Sequence, residues 1–453
     1  IRYITDQHGV VRIYAQRPRA MDGYNKAEIQ YFYRPGGEGA FAPLSVYDSL
    51  AETGFWPSAV DRDLNVAYGF DSVDGRRAVV RVALDGSLKR EVVLARDDVD
   101  VDELIRIGRQ KRVVGVGYAT DRRHAVFFDP ALKALAASMS KALPGQPQVR
   151  FVDASLDETR LLVWAGSDVD PGRYYLYDKP TKRLIPVVEE RPQLTAVKLS
   201  NVRTVSYRAS DGTQVPAYLT LPPGGQDKDL PTIVLPHGGP SARDEWGFDW
   251  LAQFFANRGY AVLQPNFRGS AGYGDAWFQE NGFRSWRIAV GDVIDAGRWL
   301  RDEGIAAPGK LAIVGWSYGG YAALQSHVLD ADLYKATIAI APVTDLDALR
   351  EESRDFMRFR VVDAFIGSGA HVEEGSPARN ADKIKAPVLL FHGDKDDNVG
   401  VAQSRLMLTR LERAGGKAEL VEFPGLDHQL DDSQARARML AKSEGFLRQA
   451  LGL

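Results

Sequence analysis

The sequence predicts two fold classes in succession: part of a β-propeller over residues 1–198, then a mostly parallel α/β sheet covered on both faces over residues 199–453. Three observations carry this. Short strands recur in the first part with a period of about 48 residues. Apolar strands alternate with helical patterns in the second part. One of those strands runs through Gly315-Trp316-Ser317-Tyr318-Gly319-Gly320 directly into a helix.

The repeat is read from Tyr31-Phe32-Tyr33, Val79-Val80-Arg81-Val82, Val126-Phe127-Phe128 and Tyr175-Leu176-Tyr177, each a short strand followed by a turn. Their centres are spaced 48, 47 and 49 residues apart. A second strand precedes each centre: Val10 to Tyr14, Asn65 to Phe70, Val113 to Tyr118 and Leu161 to Trp164. Several strands per unit at this period favour propeller blades over an evenly spaced β-sandwich. Four periods are visible. The chain begins Ile1-Arg2-Tyr3-Ile4 without Met and enters strand-like sequence at once, so a fragment or processed chain lacking N-terminal blades is expected.

The rhythm changes after Pro192. A strand pair is expected at Arg203 to Arg208 and Gln214 to Leu221, around a Ser210-Asp211-Gly212 turn. Further strands are expected at Thr232 to Leu235, Ala261 to Gln264, Leu311 to Val314, Ala336 to Ile340, Pro387 to Phe391 and Ala418 to Glu422. Helices are expected at Trp250 to Arg258, Val290 to Arg301, Tyr321 to Leu329 and Gln434 to Ala450. Alternation of this kind builds a parallel sheet with helices on both faces.

Composition bounds the function. The chain has 453 residues, 45% hydrophobic and 26% charged, with 57 basic and 60 acidic side chains. A net charge of -3 gives no electrostatic case for nucleic acid or an anionic membrane. No run approaches the roughly 18 apolar residues of a membrane-spanning helix. Cysteine is absent, which excludes disulfides, thiolate metal sites and cysteine nucleophiles and leaves the compartment, cytoplasmic or periplasmic, open. No metal site and no cofactor are expected.

The chemistry-bearing signal is the G-x-S-x-G pattern at 315–319 in strand–turn–helix context. A turn this tight exposes the Ser hydroxyl, and small flanking residues let neighbouring backbone pass. A Ser hydroxyl needs a base to become a nucleophile. In a hydrolase of this kind the chain order is Ser, acid, His. Downstream of Ser317 lie His327, His371, His392 and His428. His327 falls in the helix after the turn, His371 in a Gly-rich insertion, and His392 at a strand end. His428 lies between the last strand and last helix, where a base reaches Ser317 from the top of the sheet. The acid should follow the preceding strand, where Asp394, Asp396 and Asp397 compete and the pattern alone does not choose. An oxyanion would be held by the Tyr318 N–H and by the glycine loop His237-Gly238-Gly239-Pro240.

Four segments then occur in order: His237-Gly238-Gly239-Pro240, Arg268-Gly269-Ser270-Ala271-Gly272-Tyr273-Gly274, Gly315 to Gly320, and His392-Gly393-Asp394-Lys395-Asp396-Asp397-Asn398-Val399. Over about residues 200–453 this set resembles the prolyl oligopeptidase family, nearest its acylaminoacyl-peptidase and dipeptidyl-peptidase-like branches. The resemblance implies an α/β-hydrolase catalytic domain. It places the acid at Asp396, the fifth residue of H-G-x-x-D-x-x-V, with Val399 in register. It maps the backbone oxyanion donors to Gly239 and Tyr318. The loop from Arg268 to Gly274 is similar to a family loop near the active site, with no catalytic role for any residue. The family also implies a seven- or eight-bladed propeller that restricts substrates to short peptides, from which four blades depart.

The expectation is therefore a serine peptidase acting on short peptides through Ser317, Asp396 and His428, without a cofactor. An isopeptidase of the same family that opens lasso peptides, and a carboxylesterase or other acyl hydrolase, are alternatives; a binding protein on a hydrolase fold would not require the whole set. Glu189-Glu190 and Glu351-Glu352 read as solvated faces rather than amine-binding carboxylates. Trp246, Trp250, Tyr273 and Trp277 read as core more than as a pocket.

Overall fold

The computed structural model describes residues 2–36, 38–145, 147–278 and 282–453. By spatial clustering the chain forms two compact units, one of residues 1–197 with 272–276 and one of residues 198–271 with 277–453.

The first unit contains four small antiparallel sheets. The first pairs Arg2–Thr5, Val11–Gln16, Glu28–Tyr33 and Ala42–Asp48 in that order. The second pairs Trp56–Asp61, Val66–Val73, Arg76–Ala83 and Arg90–Leu94. The third has three strands, Val101–Ile107, Arg112–Ala119 and Arg123–Phe127, and the fourth pairs Gln148–Ala154, Arg160–Gly166, Arg173–Asp178 and Arg183–Glu189. The four repeat centres each lie on or beside the third strand of a sheet. Consecutive sheets bury their faces against one another. Ile13 and Tyr31 pack with Val60 and Val80. Tyr68 and Val79 pack with Val101 and Val116. Ile105 and Val114 pack with Phe151 and Leu161. Small sheets of local hairpins stacked face to face are the β-propeller arrangement.

The repeat reading expects only strands, yet a helix occupies Pro130–Ala142 in the third sheet's fourth-strand position. Its local chemistry explains it. Asp129 caps it by accepting from the Ala131 N–H, Pro130 opens it, and Leu132 and Met139 point one face into the core.

The second unit is built on one eight-stranded sheet. Its strands are β1 (Val202–Arg208), β2 (Gln214–Thr220), β3 (Leu230–Val234), β4 (Ala261–Pro265), β5 (Ala306–Trp316), β6 (Thr337–Ile340), β7 (Val388–Gly393) and β8 (Ala418–Phe423). The order is β1-β2-β4-β3-β5-β6-β7-β8, with the β1–β2 and β2–β4 pairings antiparallel and the rest parallel. Every residue of β4, β6 and β7 is buried, as covering helices on both faces require. Trp286–Asp302 and Tyr318–Leu329 supply one face, with Trp286, Val290, Val293 and Tyr321. Trp250–Asn257 and Ser433–Leu451 supply the other, with Leu251, Phe255, Met439 and Leu447. This is an α/β-hydrolase sheet. No helix among the described residues is long and apolar enough to cross a membrane.

Candidate active site

Strand β5 delivers its last residue, Trp316, to the C-terminal edge of the sheet, and the helix Tyr318–Leu329 begins one residue later. Ser317 makes the turn alone, at φ 57° and ψ −120°. A non-glycine residue there stores about 1–3 kcal/mol, which the surrounding structure must hold. The holding is steric. A Cβ on Gly315 would sit 2.1 Å from the Gly319 carbonyl oxygen, and one on Gly319 would sit 2.1 Å from the Pro236 oxygen. The Ser317 N–H is anchored 2.7 Å from the Ile340 oxygen of β6. Ser317 is left partly exposed.

The loop after β7 decides among the three carboxylates. Asp397 is exposed, and Asp394 accepts from the Gly425 N–H at 2.6 Å as an ordinary turn residue. The Asp396 side chain is fully buried, and its two oxygens have different partners. Oδ1 accepts from the Asn398 and Val399 N–H groups at 2.8 and 2.9 Å. Oδ2 accepts from His428 Nδ1 at 2.5 Å and lies 3.2 Å from His392 Nε2. Burial alone would raise this carboxyl; the hydrogen bonds from His392, His428 and Val399 outweigh it and hold the group well below the usual carboxylate range. Asp396 is therefore ionised at neutral pH.

His428 thus carries its proton on Nδ1, toward Asp396, and its Nε2 is the free basic nitrogen. Its carbonyl accepts from Trp316 Nε1 at 3.0 Å, tying the histidine loop to the residue before Ser317. The structure brings Asp396 and His428 into contact. It makes no hydrogen bond between His428 and the Ser317 hydroxyl among the described residues, a looseness common in sites without substrate.

The other histidines have structural partners. His392 is fully buried, with Nε2 2.8 Å from the Val399 oxygen and Nδ1 2.7 Å from Ser404 Oγ. His327 is fully buried against Thr337 Oγ1 at 2.7 Å, and burial pushes it down to about 4. His371 lies in the short helix Ala370–Glu374, not in the open loop that the glycines suggested, and it meets the Ile366 oxygen at 2.8 Å.

The glycine loop after β3 lies against the turn. A Cβ on Gly238 would be 3.6 Å from Ser317 Cβ. Gly239 has φ 122°, a conformation that residues with a Cβ rarely adopt, and a Cβ there would sit 2.7 Å from the Ser241 nitrogen. The N–H groups of Gly239 and Tyr318 have no acceptor among the described residues; for Tyr318 this follows from its place as the first residue of a helix.

Sequence reasoning missed the support behind that loop. His237 Nδ1–H donates to the Gly238 oxygen at 2.7 Å, and Nε2 faces Ser270 Oγ at 2.7 Å. Its ring stacks on Phe267 at 4.4 Å, and burial pushes it down to about 4, so it stays neutral. The Arg268–Gly274 segment therefore meets the glycine loop through Ser270. Arg268 itself forms a two-pronged pair with buried Asp292, at 2.6 and 2.9 Å. On the other side, Tyr318 Oη donates to the Gly282 oxygen at 2.7 Å, and a Cβ on Gly282 would meet Pro240 Cβ at 2.9 Å.

Glu351 and Glu352 differ from the solvated pair that the sequence suggests. Glu351 is exposed and paired with Arg354. Glu352 is half-buried and accepts from the Gly400 N–H and from Gln403 Nε2, both at 3.1 Å, which ties it to the end of the Asp396 loop. Glu189 pairs with Arg173 at 2.5 Å, and Glu190 accepts from Tyr174 Oη at 3.1 Å. Trp246 is buried, and Trp250 and Trp277 pack against the two core clusters. Among the described residues no group of three or more His, Asp or Glu side chains is arranged to hold a metal ion.

Comparison with known proteins bears on the family and the fold. Residues 246–453 match the model of the prolyl oligopeptidase family. Dipeptidyl aminopeptidase BIII of Pseudoxanthomonas mexicana is 31% identical over 474 residues, covering 99% of this chain and 66% of that enzyme. Acylamino-acid-releasing enzyme 2 of Oryza sativa is 24% identical, covering 66% of this chain and 40% of that one. The chain thus spans two thirds or less of the length of these relatives. Among solved structures, a Mycobacterium tuberculosis puromycin-hydrolyzing peptidase superposes with a TM-score of 0.78 at 24% identity, over 97% of this chain and 68% of that one. Pyrococcus horikoshii acylaminoacyl peptidase gives 0.72 at 18% identity, over 96% and 68%. At these identities the structural likeness is one of fold.

Proposed function

The chain belongs to the prolyl oligopeptidase family, and on that premise we propose that it is a serine peptidase hydrolysing short peptides through an acyl-enzyme on Ser317. The observation that carries the reading is the Asp396 carboxylate, buried, ionised and bonded to His428 Nδ1 at 2.5 Å beside a strained Ser317 turn. A buried carboxylate held this way fixes the imidazole tautomer and stabilises the imidazolium that forms during reaction.

In the proposed cycle His428 Nε2 takes the proton of the Ser317 hydroxyl as Oγ attacks the scissile carbonyl. The carbonyl oxygen becomes an oxyanion and is received by the N–H groups of Gly239 and Tyr318. His428 then gives its proton to the leaving amine, the C–N bond breaks, and an ester to Ser317 remains. A water activated by the same nitrogen attacks that ester and releases the acid, and the hydroxyl is restored. Each backbone donor is expected to stabilise the transition state by about 3 kcal/mol.

The test is mass spectrometry of products from a mixed library of free-amine, N-acylated and isopeptide-linked short peptides, with Ser317→Ala as control. Cleavage of one class, reduced at least about 10⁴-fold in the control, supports the reading and names the bond. Lasso-peptide opening appears as cleavage confined to the isopeptide class. Turnover of a nitrophenyl ester without cleavage of any peptide assigns the chain to the carboxylesterases instead. Full activity in the control overturns the role of Ser317.

A further inference from the structure

Within the first unit, several arginines stand in ion pairs on the strands. Arg81 meets Glu91 at 2.8 Å, Arg96 meets Asp98 at 2.7 Å, Arg112 meets Glu158 at 2.7 Å and Arg123 meets Asp102 at 2.8 Å. One open cavity gathers four arginines against a single carboxylate. It encloses about 860 Å³ and is lined by Arg2, Arg17, Arg19 and Arg77, with Glu52 the one carboxylate among the lining residues. Glu52 is already committed to Arg77 at 2.6 Å. Arg2, Arg17 and Arg19 have no ion pair among the described residues, and Arg17 contacts only the Lys26 carbonyl, at 3.4 Å. A fifth arginine, half-buried Arg106, stands near enough to Arg2 to feel its charge, after the larger effect of burial, as a downward push on its own.

The remaining wall is aromatic. Tyr47 and Trp56 stack at 5.6 Å, and Tyr31 is buried, which raises its phenol against a smaller opposing push from nearby Arg2 and Arg17. Guanidinium groups on separate segments, without partners, are forks for planar oxyanions. The space is far larger than an inorganic anion needs and falls in the range of organic ligand sites. Charge and aromatic surface together call for a ligand with carboxylates spaced along an apolar frame.

We propose that this cavity binds acidic peptides, with Arg2, Arg17 and Arg19 taking the carboxylates and Tyr31, Tyr47 and Trp56 taking the groups between them. The choice of a peptide as carrier rests on the peptidase reading above; the carboxylate site does not.

The test uses the Ser317→Ala chain, so that binding is read without turnover. Calorimetry compares a tetrapeptide alternating glutamate with phenylalanine against its glutamine counterpart. The acidic peptide is expected to bind at least about tenfold tighter at low salt, and the advantage to shrink in about 0.5 M sodium chloride. Adding Arg17→Gln and Arg19→Gln should remove it, while Arg17→Lys with Arg19→Lys should restore part of it. In the chain with Ser317 intact, the glutamine pair should leave nitrophenyl-ester turnover unchanged, which shows the variant is folded. Equal affinity for the two peptides, or an undiminished advantage in the glutamine pair, overturns the site. Displacement of the peptide by an equal concentration of inorganic phosphate overturns the assignment to peptides. Failure of the peptidase reading shows instead as absent hydrolysis by the Ser317 chain, with the binding data untouched.

Discussion

The two loops that present Ser317 and Asp396 stand at the ends of nearby parallel strands, yet they are held by opposite means. Around Ser317 the holding is exclusion of volume: Gly315 and Gly319 have carbonyl oxygens within 2.1 Å of where a Cβ would go, so the strained residue has no alternative path. After β7 crowding ends at Gly393, whose Cβ would meet the Leu426 oxygen at 2.3 Å. From there the chain is held by donors converging on one carboxylate, two backbone N–H groups and two imidazoles, with Glu352 fastening Gly400 behind it. A nucleophile needs one rigid conformation, and sterics supply it without consuming the hydroxyl's own hydrogen bonds. A buried acid needs its charge compensated, and only hydrogen bonds do that.

That contrast can be broken at three points. The largest expected effect is Asp396→Asn. It keeps the shape but presents a donor or a weaker acceptor to His428, so kcat should fall by about 10⁴ in steady-state assays with any turned-over substrate. A fall under tenfold would remove Asp396 from the machinery. The same carboxyl is depressed in the fold, so its contribution to stability is complete above the ordinary carboxylate range near 4 and is lost as pH falls through and below it.

Next is Gly319→Ala. A methyl 2.1 Å from the Pro236 oxygen must displace backbone, so thermal unfolding should show a loss of about 1–3 kcal/mol, and turnover should drop with it. Asp396→Asn should disturb the thermal midpoint less than Gly319→Ala does; the reverse order would mean that the two loops are held alike.

The smallest effect belongs to Glu352→Gln. Burial raises Glu352 above the usual range, so the native state takes up a proton before the unfolded chain does. Relative to the glutamine variant, the unsubstituted chain should gain stability as pH falls from neutrality toward 4, by about 2 °C in the midpoint, opposite in sign to Asp396. A parallel pair of pH profiles would show that Glu352 is not buried as described.

Much of this was readable from the chain because the signals are local. The strand–turn–helix around Ser317 lies within a few residues, and so does each hairpin of the repeat. The choice of Asp396 over Asp394 and Asp397 was not local. It depends on His428, 32 residues away, on His392 at the strand end, and on burial that no neighbouring residue reports. His237 and Ser270 form another such pair, brought together only when β3 and β4 lie side by side. Glu352 looked like one of two solvated carboxylates because sequence cannot say which face of a short helix meets Gly400. The helix at Pro130–Ala142 is a different case. Asp129-Pro130 and the apolar positions of Leu132, Leu135 and Met139 announce it, but a strand repeat read at a fixed period leaves no place for it.

That helix also says what the repeat conserves. The spacing across the third sheet stays at 47 and 49 residues although an outer strand has been exchanged for thirteen residues of helix. The outermost position of such a sheet has only one neighbouring strand to satisfy, so strand or helix can stand there if its buried side chains are kept. A foreign helix grafted in place of Pro130–Ala142 would have to bring its own equivalents of Leu132 and Met139, which fill the core between the third and fourth sheets.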